Sequence, residues 1–397
     1  MTAAVICEFN PFHNGHAFLL DEARRMGADR LVAVMSGNFV QRGEPAIFDS
    51  RKRTETALKA GVNLVLQLPV AYATAGAEKF ARGAVNILNA CGNIDELIFG
   101  SECGDIDKLC KIADILISGE ADGKIGELMD TGLTYAVARE RAVESVAPDV
   151  SGLLSGSNNI LGIEYIIALK RSNSKIIPKT VKRQGAEHNS ATALGGFASA
   201  TEIRRRIMAG EGTDDFVPGF AEYEKNKPVD YDKYSAVALY KIGTSSAGEL
   251  KDLPDVSEGL ENRIKECSQN AKTVDELYGL IKTKRYTHSR IRRIILSAVL
   301  GIKAEDVSAK PEYIKINGFD ETGRKMLSEM KNTALLPVVT KPGDLSSLGE
   351  KAQKMFSLEC KVADIYSILS DDEQGKEKLP PIYFERKEQY KKRNLRK

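Results

Sequence analysis

Short apolar runs and amphipathic stretches alternate through the first hundred residues. Val5-Ile-Cys-Glu8, Leu31-Val-Ala-Val34, Leu64-Val-Leu-Gln-Leu68 and Leu97-Ile-Phe99 read as strands, and runs this short between helical stretches predict a parallel α/β sheet. From Ala77 to Cys91, Phe80, Ala84, Ile87, Leu88 and Cys91 recur at helical spacing, with Glu78, Lys79, Arg82 and Asn86 opposite. That stripe predicts a crossover helix covering one sheet face. A helix from Ile106 to Ile117, a polar segment, a helix from Asn159 to Lys170 and a strand from Lys175 to Arg183 continue the pattern, with Ser157 and Asn158 where N-caps belong. Ser199-Ala-Thr201-Glu202 has the capping-box form and opens a helix through Ile207.

The α/β unit is expected to end near Gly210 to Pro228, after which the chain changes character. Ser257 to Ile264, Val274 to Ile281 and Thr287 to Ile302 read as helices, and in the last of them Ile291, Ile294, Ile295, Ala298 and Val299 form a wide core-facing stripe. A strand, helix and strand (Tyr313 to Asn317, Glu321 to Lys331, Leu336 to Lys341) and a long helix from about Leu345 to Leu369 follow. The predicted organisation is a domain over residues 1–215 and a mainly helical one over residues 229–397.

Composition narrows this picture. Of 397 residues, 42% are hydrophobic and 28% charged, an ordinary globular balance. No run approaches the roughly 20 apolar residues of a membrane-spanning helix, and the N-terminus lacks a signal-peptide pattern, so a cytoplasmic protein with no membrane partner is expected. Six cysteines without CxxC spacing indicate neither a disulfide framework nor a zinc ribbon. The net charge of +2 hides asymmetry: Lys376 to Lys397 carries nine basic residues against Glu377, Glu385 and Glu388.

The most informative segment is Glu8-Phe-Asn-Pro-Phe-His13-Asn14-Gly15-His16, after the first strand and before an amphipathic helix. In an open parallel sheet ligands bind beyond the carboxyl ends of strands, and a helix N-terminus offers N–H groups to phosphate. Gly15 permits close backbone approach there, and His13 and His16 can donate to phosphoryl oxygens as charge builds on them. The competing readings are a metal-ligand pair, disfavoured in a chain with four histidines and no ligand-spaced partner, and packed or capping histidines.

These residues resemble the HIGH-motif nucleotidyltransferase superfamily, whose HxGH signature binds ATP. Its late SxTxIR element corresponds to Ser199-Ala-Thr201-Glu-Ile203-Arg204, two hydroxyls and an arginine at a helix start, which together can hold an anion. Met35-Ser-Gly-Asn-Phe-Val-Gln-Arg-Gly-Glu-Pro-Ala-Ile47, Phe99-Gly-Ser-Glu102, Asn158-Asn-Ile-Leu-Gly-Ile-Glu-Tyr165, Glu258-Gly-Leu-Glu-Asn-Arg-Ile264 and Ile281-Lys-Thr-Lys-Arg-Tyr-Thr287 extend the likeness, in order, to the bacterial tRNA(Met) cytidine acetate ligase family.

The resemblance implies a Rossmann-like α/β catalytic domain with a parallel sheet, followed by a mainly helical tRNA-binding domain. It implies a ligase that converts acetate and ATP to acetyl-adenylate, then acetylates the wobble cytidine of elongator tRNA(Met). Carried over by position, the ATP-binding run is Ile6, Cys7, Glu8, Phe9, Asn10, Pro11, Phe12, His13, Asn14, Gly15, His16, Ala17, Phe18 and Leu19, with further contacts at Gly100, Asn158 and Arg183. His13, His16, Ser199, Thr201 and Arg204 are the expected catalytic groups, with Mg²⁺ accompanying ATP and no dedicated metal motif.

For RNA, Lys282 to Arg293 packs six basic residues into twelve positions, and Lys282, Lys284, Arg285, Arg290 and Arg293 are the phosphate-binding candidates. The alternative there is a solvated helix face. Two departures stand out. Asp49-Ser-Arg-Lys-Arg53 replaces an Asp-Lys-Trp-x-Arg run, its neighbouring basic residues being candidates to replace the lysine, and Gly185-Ala-Glu-His188-Asn is one residue short of the usual form, so His188 is given no role. Two other functions share parts of the pattern: an adenylyltransferase making a dinucleotide cofactor, which leaves the basic segment and second domain unexplained, and a non-catalytic RNA-binding protein.

Overall fold

The computed structural model describes residues 1–184, 196–257 and 259–386; His188, Glu258 and the basic tail from residue 387 lie outside them. Ten strands are assigned among the described residues: β1 (Thr2–Cys7), β2 (Arg30–Ser36), β3 (Phe39–Val40), β4 (Glu44–Pro45), β5 (Leu64–Leu68), β6 (Glu96–Ser101), β7 (Ile177–Lys182), β8 (Ile314–Asp320), β9 (Val338–Val339) and β10 (Ile382–Phe384). The main sheet runs β10-β8-β5-β2-β1-β6-β7, with β9 beside β8.

From β5 to β7 every pairing is parallel, as the alternation predicts. Connections from β1 lead first to β2 and β5 and then back to β6 on its other side, so the winding reverses between β1 and β6. A crevice opens at such a point beyond the carboxyl ends of the strands. The helix Ala77–Cys91 has the bounds its stripe predicts and buries Phe80, Ala84, Ile87 and Leu88 against the sheet.

The strand expected at Tyr313 to Asn317 does not stay within the helical part. As β8 it joins the sheet antiparallel to β5, with Leu64 opposite Phe319, and β10 then pairs parallel to β8. The sheet is therefore mixed, and its β5 side is completed by chain from beyond residue 229. Polar patterning also hid elements. The stretch read as a polar segment holds the helices Asp122–Asp130 and Tyr135–Val146. The helix expected at Ser257 to Ile264 instead spans Leu260–Ser268, after Gly259 at a left-handed φ of 78°.

The helical part has its own core of Tyr234, Ile264, Leu277, Ile291, Ile294, Ile295 and Tyr366, which also takes in Phe39, Val70 and Ala71 from the first hundred residues. The β3–β4 hairpin is pressed against it. At Gly43, with φ 78°, a Cβ would lie 2.6 Å from the backbone of Arg292 and Arg293, a spacing that only glycine permits.

Candidate active site

The loop from Glu8 to Phe12 leaves β1 through a left-handed Phe9 (φ 46°) and a cis Asn10-Pro11 bond, then enters the helix Asn14–Arg25. His13 is the N-cap: its Nδ1 accepts the Gly15 N–H at 3.1 Å, while His16 Nδ1 accepts the His13 N–H at 3.2 Å. The pair forms a capping box built from imidazoles, and the rings stack at 3.8 Å between centroids. A neutral imidazole that accepts at Nδ1 carries its proton on Nε2, so each ring presents an N–H donor on its far side.

Both rings are kept neutral. Burial, followed by the positive charges of Arg183 and Arg204, lowers His13 to about 3. Burial, then His13 and Arg183, puts His16 well below the ordinary histidine value. Neutral donors of this kind suit phosphate oxygens, because they add hydrogen bonds without needing a proton from solvent.

Gly15 serves the cap itself, since a Cβ there would sit 2.9 Å from His13 Cε1. Nor is the first turn of this helix an open anion cradle. The Asn14 N–H donates to Phe216 O (2.9 Å), Gly15 N–H to His13 Nδ1, and the N–H groups of His16 and Ala17 to His13 O. The Asn14 side chain donates to Gly196 O and Asp215 O, both at 3.0 Å. The candidate phosphate donors on this side are thus the Nε2–H groups of the two imidazoles. Ala17, Phe18 and Leu19 pack against the core holding Phe9 and Phe12.

The second motif meets the first. Ser199 caps the helix Ala200–Met208, its Oγ accepting the Glu202 N–H at 3.2 Å, but Glu202 turns to Arg205 and Arg206 instead of completing a capping box. Ile203 is buried with Phe9 and Phe12. Arg204 Nη1 donates to Asn10 O at 2.8 Å, and guanidinium nitrogens of Arg204 and Arg42 each lie 3.4 Å from Thr201 Oγ1.

The remaining ATP-site candidates lie along the carboxyl ends of β1, β6 and β7. Ile6 and Cys7 end β1, and burial pushes the Cys7 thiol up, keeping it protonated. Burial also raises the Glu8 carboxyl, whose Oε1 accepts the Gln41 N–H at 2.7 Å. Asn10 Oδ1 accepts the Ile47 N–H at 2.8 Å. Gly100 makes room for the Arg183 stem, 3.4 Å from where a Cβ would stand, and the Arg183 N–H donates to Ser101 O at 2.9 Å.

Asn158 departs from the N-cap position expected of it. The helix spans Ser157–Arg171 with Gly156 as N-cap, and its end is closed by Glu102 in place of Ser157 or Asn158. The Asn158 N–H and Nδ2 donate to Glu102 Oε1 at 3.0 and 2.7 Å, and the Asn159 N–H donates to Oε2 at 2.7 Å. Burial disfavours the ionised carboxylate, but these donors outweigh it and hold Glu102 below its usual range.

Three residues with no role assigned from the sequence shape the site. Arg53, within the basic run 51–53, is fully buried and donates to Phe48 O, Glu8 O, Ser36 O and Gly37 O, tying the ends of β1 and β2 together. Tyr223 OH donates to Phe12 O at 2.9 Å. Glu44 is buried between Arg204 and Arg292. Arg53 closes the Asp49–Arg53 run and Glu44 lay inside a motif block, both without these contacts assigned, while Tyr223 carried no one-dimensional signal.

The RNA candidates divide. Lys284 and Arg285 are exposed on the turn before the helix His288–Leu300, and the nearby Lys282 bonds Thr283 O. Arg290 instead donates to Asp255 O at 2.8 and 3.0 Å and to Ser257 Oγ at 2.9 Å. Arg293 lies 3.9 Å from the Asp255 carboxylate. These two are committed to the neighbouring loop because the opposite face of their helix is core. Among the described residues no group of three or more His, Cys, Asp or Glu can hold a metal, and no helix is long and apolar enough to cross a membrane.

Paired imidazoles on a helix start beside an arginine-backed hydroxyl motif, at the strand ends where the winding reverses, are the arrangement of a nucleotidyltransferase site, and the HIGH Nucleotidyl Transferase family model matches residues 1–379. Proteins named tRNA(Met) cytidine acetate ligase are similar along nearly the whole chain: 42% identity over 382 residues in Thermoanaerobacter sp. (strain X514), covering 92% of this chain and 94% of that protein. The Caldanaerobacter subterraneus subsp. tengcongensis protein is 44% identical over 380 residues, with the same coverages. The crystal structure of Thermotoga maritima TmcAL in its apo form I superposes with a TM-score of 0.92 at 33% identity, covering 97% of this chain and 100% of that one. The form bound with alpha-thio ATP gives 0.89 at the same identity and coverages. The chain belongs to the tRNA(Met) cytidine acetate ligase family.

Proposed function

We propose that the protein activates acetate with ATP and transfers the acetyl group to the wobble cytidine of elongator tRNA(Met), forming 4-acetylcytidine. The main support within the molecule is the meeting of the two motifs, with Arg204 bonded to the Asn10 carbonyl of the histidine loop. That contact brings the arginine of one motif up to the loop that carries the histidines of the other, so groups from both can act on one bound nucleotide.

In the first step an acetate oxygen attacks the α-phosphorus of ATP and the bond to the β-bridging oxygen breaks. Acetyl-adenylate forms and pyrophosphate leaves. The Nε2–H groups of His13 and His16 hold the α-phosphoryl oxygens as their charge rises, while Ser199, Thr201 and Arg204 hold the departing pyrophosphate. The described residues form no metal cage. Mg²⁺ accompanying ATP would take its ligands mainly from phosphate and water, and would supply charge neutralisation there.

In the second step the exocyclic amine of the cytidine attacks the acetyl carbonyl, AMP leaves with the bonding electrons, and the amine gives up a proton. A single-stranded anticodon base can be splayed into such a crevice. Lys282, Lys284 and Arg285 are the first-choice phosphate contacts, with Arg290 and Arg293 held to Asp255 behind them. The test is nucleoside mass spectrometry of tRNA(Met) incubated with protein, ATP and acetate. Acetylated cytidine that requires all three is expected; an unmodified wobble cytidine with active protein would reject the proposal.

A further inference from the structure

The β3–β4 hairpin places one buried carboxylate between two parts of the molecule that sequence treats separately. Glu44 Oε1 lies 3.2 Å from Arg204 Nη2 and its Oε2 lies 3.3 Å from Arg292 Nη1. The Tyr231 hydroxyl also bonds it, from the first residue of the helix Tyr231–Thr244. Arg204 reaches the histidine loop with its other nitrogen, at Asn10 O. Arg292 belongs to the helix His288–Leu300, stacks over the Tyr278 ring at 5.2 Å and lies 3.7 Å from Asp275. The hairpin cannot drift from that helix without opening the contact at Gly43.

We infer that Glu44 is a positioning residue of the ATP site, holding the Arg204 guanidinium in place from behind and anchored in turn by Arg292. The inference rests on the ATP-binding role proposed for Arg204. An arginine bonded to one backbone carbonyl still swings about its long stem, and a second, ionic contact removes that freedom before substrate arrives. Glu44 itself meets no nucleotide. Because Arg292 and Tyr231 sit on helices of the second half, ATP binding then depends on residues well outside the histidine loop.

The test is a double-mutant cycle on ATP affinity, read by calorimetry with the full chain, in wild type, Glu44→Gln, Arg204→Ala and the pair. Glu44→Gln keeps the shape and removes the charge, and is expected to weaken ATP binding about tenfold. In the Arg204→Ala background the same change is expected to do almost nothing, since its target is gone. Arg292→Gln, as a second route to the same carboxylate, is expected to weaken ATP binding several-fold at a temperature where circular dichroism shows the variant fully folded. An equal loss from Glu44→Gln with and without Arg204 would overturn the inference, as would full ATP affinity in both Glu44→Gln and Arg292→Gln. ATP affinity is measured without acetate or tRNA, so failure of the acetate chemistry, seen in wild type alone, is a separate result.

Discussion

Two histidines three apart usually mean a metal pair or a buried cap; here they form the cap, and the proposed chemistry falls to the side of each ring that the cap leaves over. Because Nδ1 of each ring is taken by a backbone N–H, only Nε2 is left to donate, and neutrality keeps it a donor at neutral pH. His16→Ala is therefore expected to cut adenylate formation by about 10²-fold or more, the scale of losing one preorganised donor, with fold and tRNA affinity retained. Parallel loss of folding would return it to a packing role. His13, at about 3 in the folded protein, stays neutral where the unfolded chain takes up a proton. Its contribution is fully present above about pH 6.5, the unperturbed histidine value, and is lost as pH falls toward 3. Imidazole resonances of His13 should not titrate between pH 8 and 5; a midpoint near 6.5 would contradict the buried, arginine-flanked site. The two histidines and the Ser-Thr-Arg set were legible as letters. The commitments of Asn158 to Glu102 and of Asn14 to carbonyls 182 and 201 residues away were not, because an amide's partner is fixed only by the fold.

At the scale of elements, stripes with a clear 3.6-residue period were readable: the helices Ala77–Cys91 and His288–Leu300 fall close to where their apolar positions predict. Helices Asp122–Asp130 and Tyr135–Val146 were not, since few of their side chains are buried and their polar residues mask the period. The loop joining β2 to the helix Ser50–Lys59 owes its shape to Arg53, whose position at the end of the Asp49–Arg53 run was visible in sequence but whose burial and backbone partners were not. Arg53→Met would leave four main-chain carbonyls without their donor and is expected to cost at least about 3 kcal/mol, read from denaturant unfolding. A cost below about 1 kcal/mol would mean those carbonyls find other partners.

Over the whole molecule, the chain beyond residue 229 does more than supply a second unit, because β8 and β10 finish the sheet that begins at β1. Nothing in an apolar run states which strand it will pair with, and an antiparallel addition to a parallel sheet has no sequence mark. A fragment of residues 1–228 leaves β5 as a long, apolar edge and is expected to aggregate or to lose cooperative unfolding; a soluble, cooperatively folded fragment would contradict this topology. The turn at 282–285, exposed at Lys284 and Arg285, is the surface proposed to meet tRNA. Replacing Lys282, Lys284 and Arg285 by alanine should weaken tRNA binding and reduce its slope against salt by about two, leaving ATP affinity unchanged. The intermediate proposed for this site is an acyl-adenylate. ATP–pyrophosphate exchange by the purified protein, with acetate, propionate or nicotinate mononucleotide supplied in turn and with tRNA present, tests it most directly. Exchange that depends on acetate is expected; exchange with the mononucleotide and none with acetate would rule out an acetyl-adenylate.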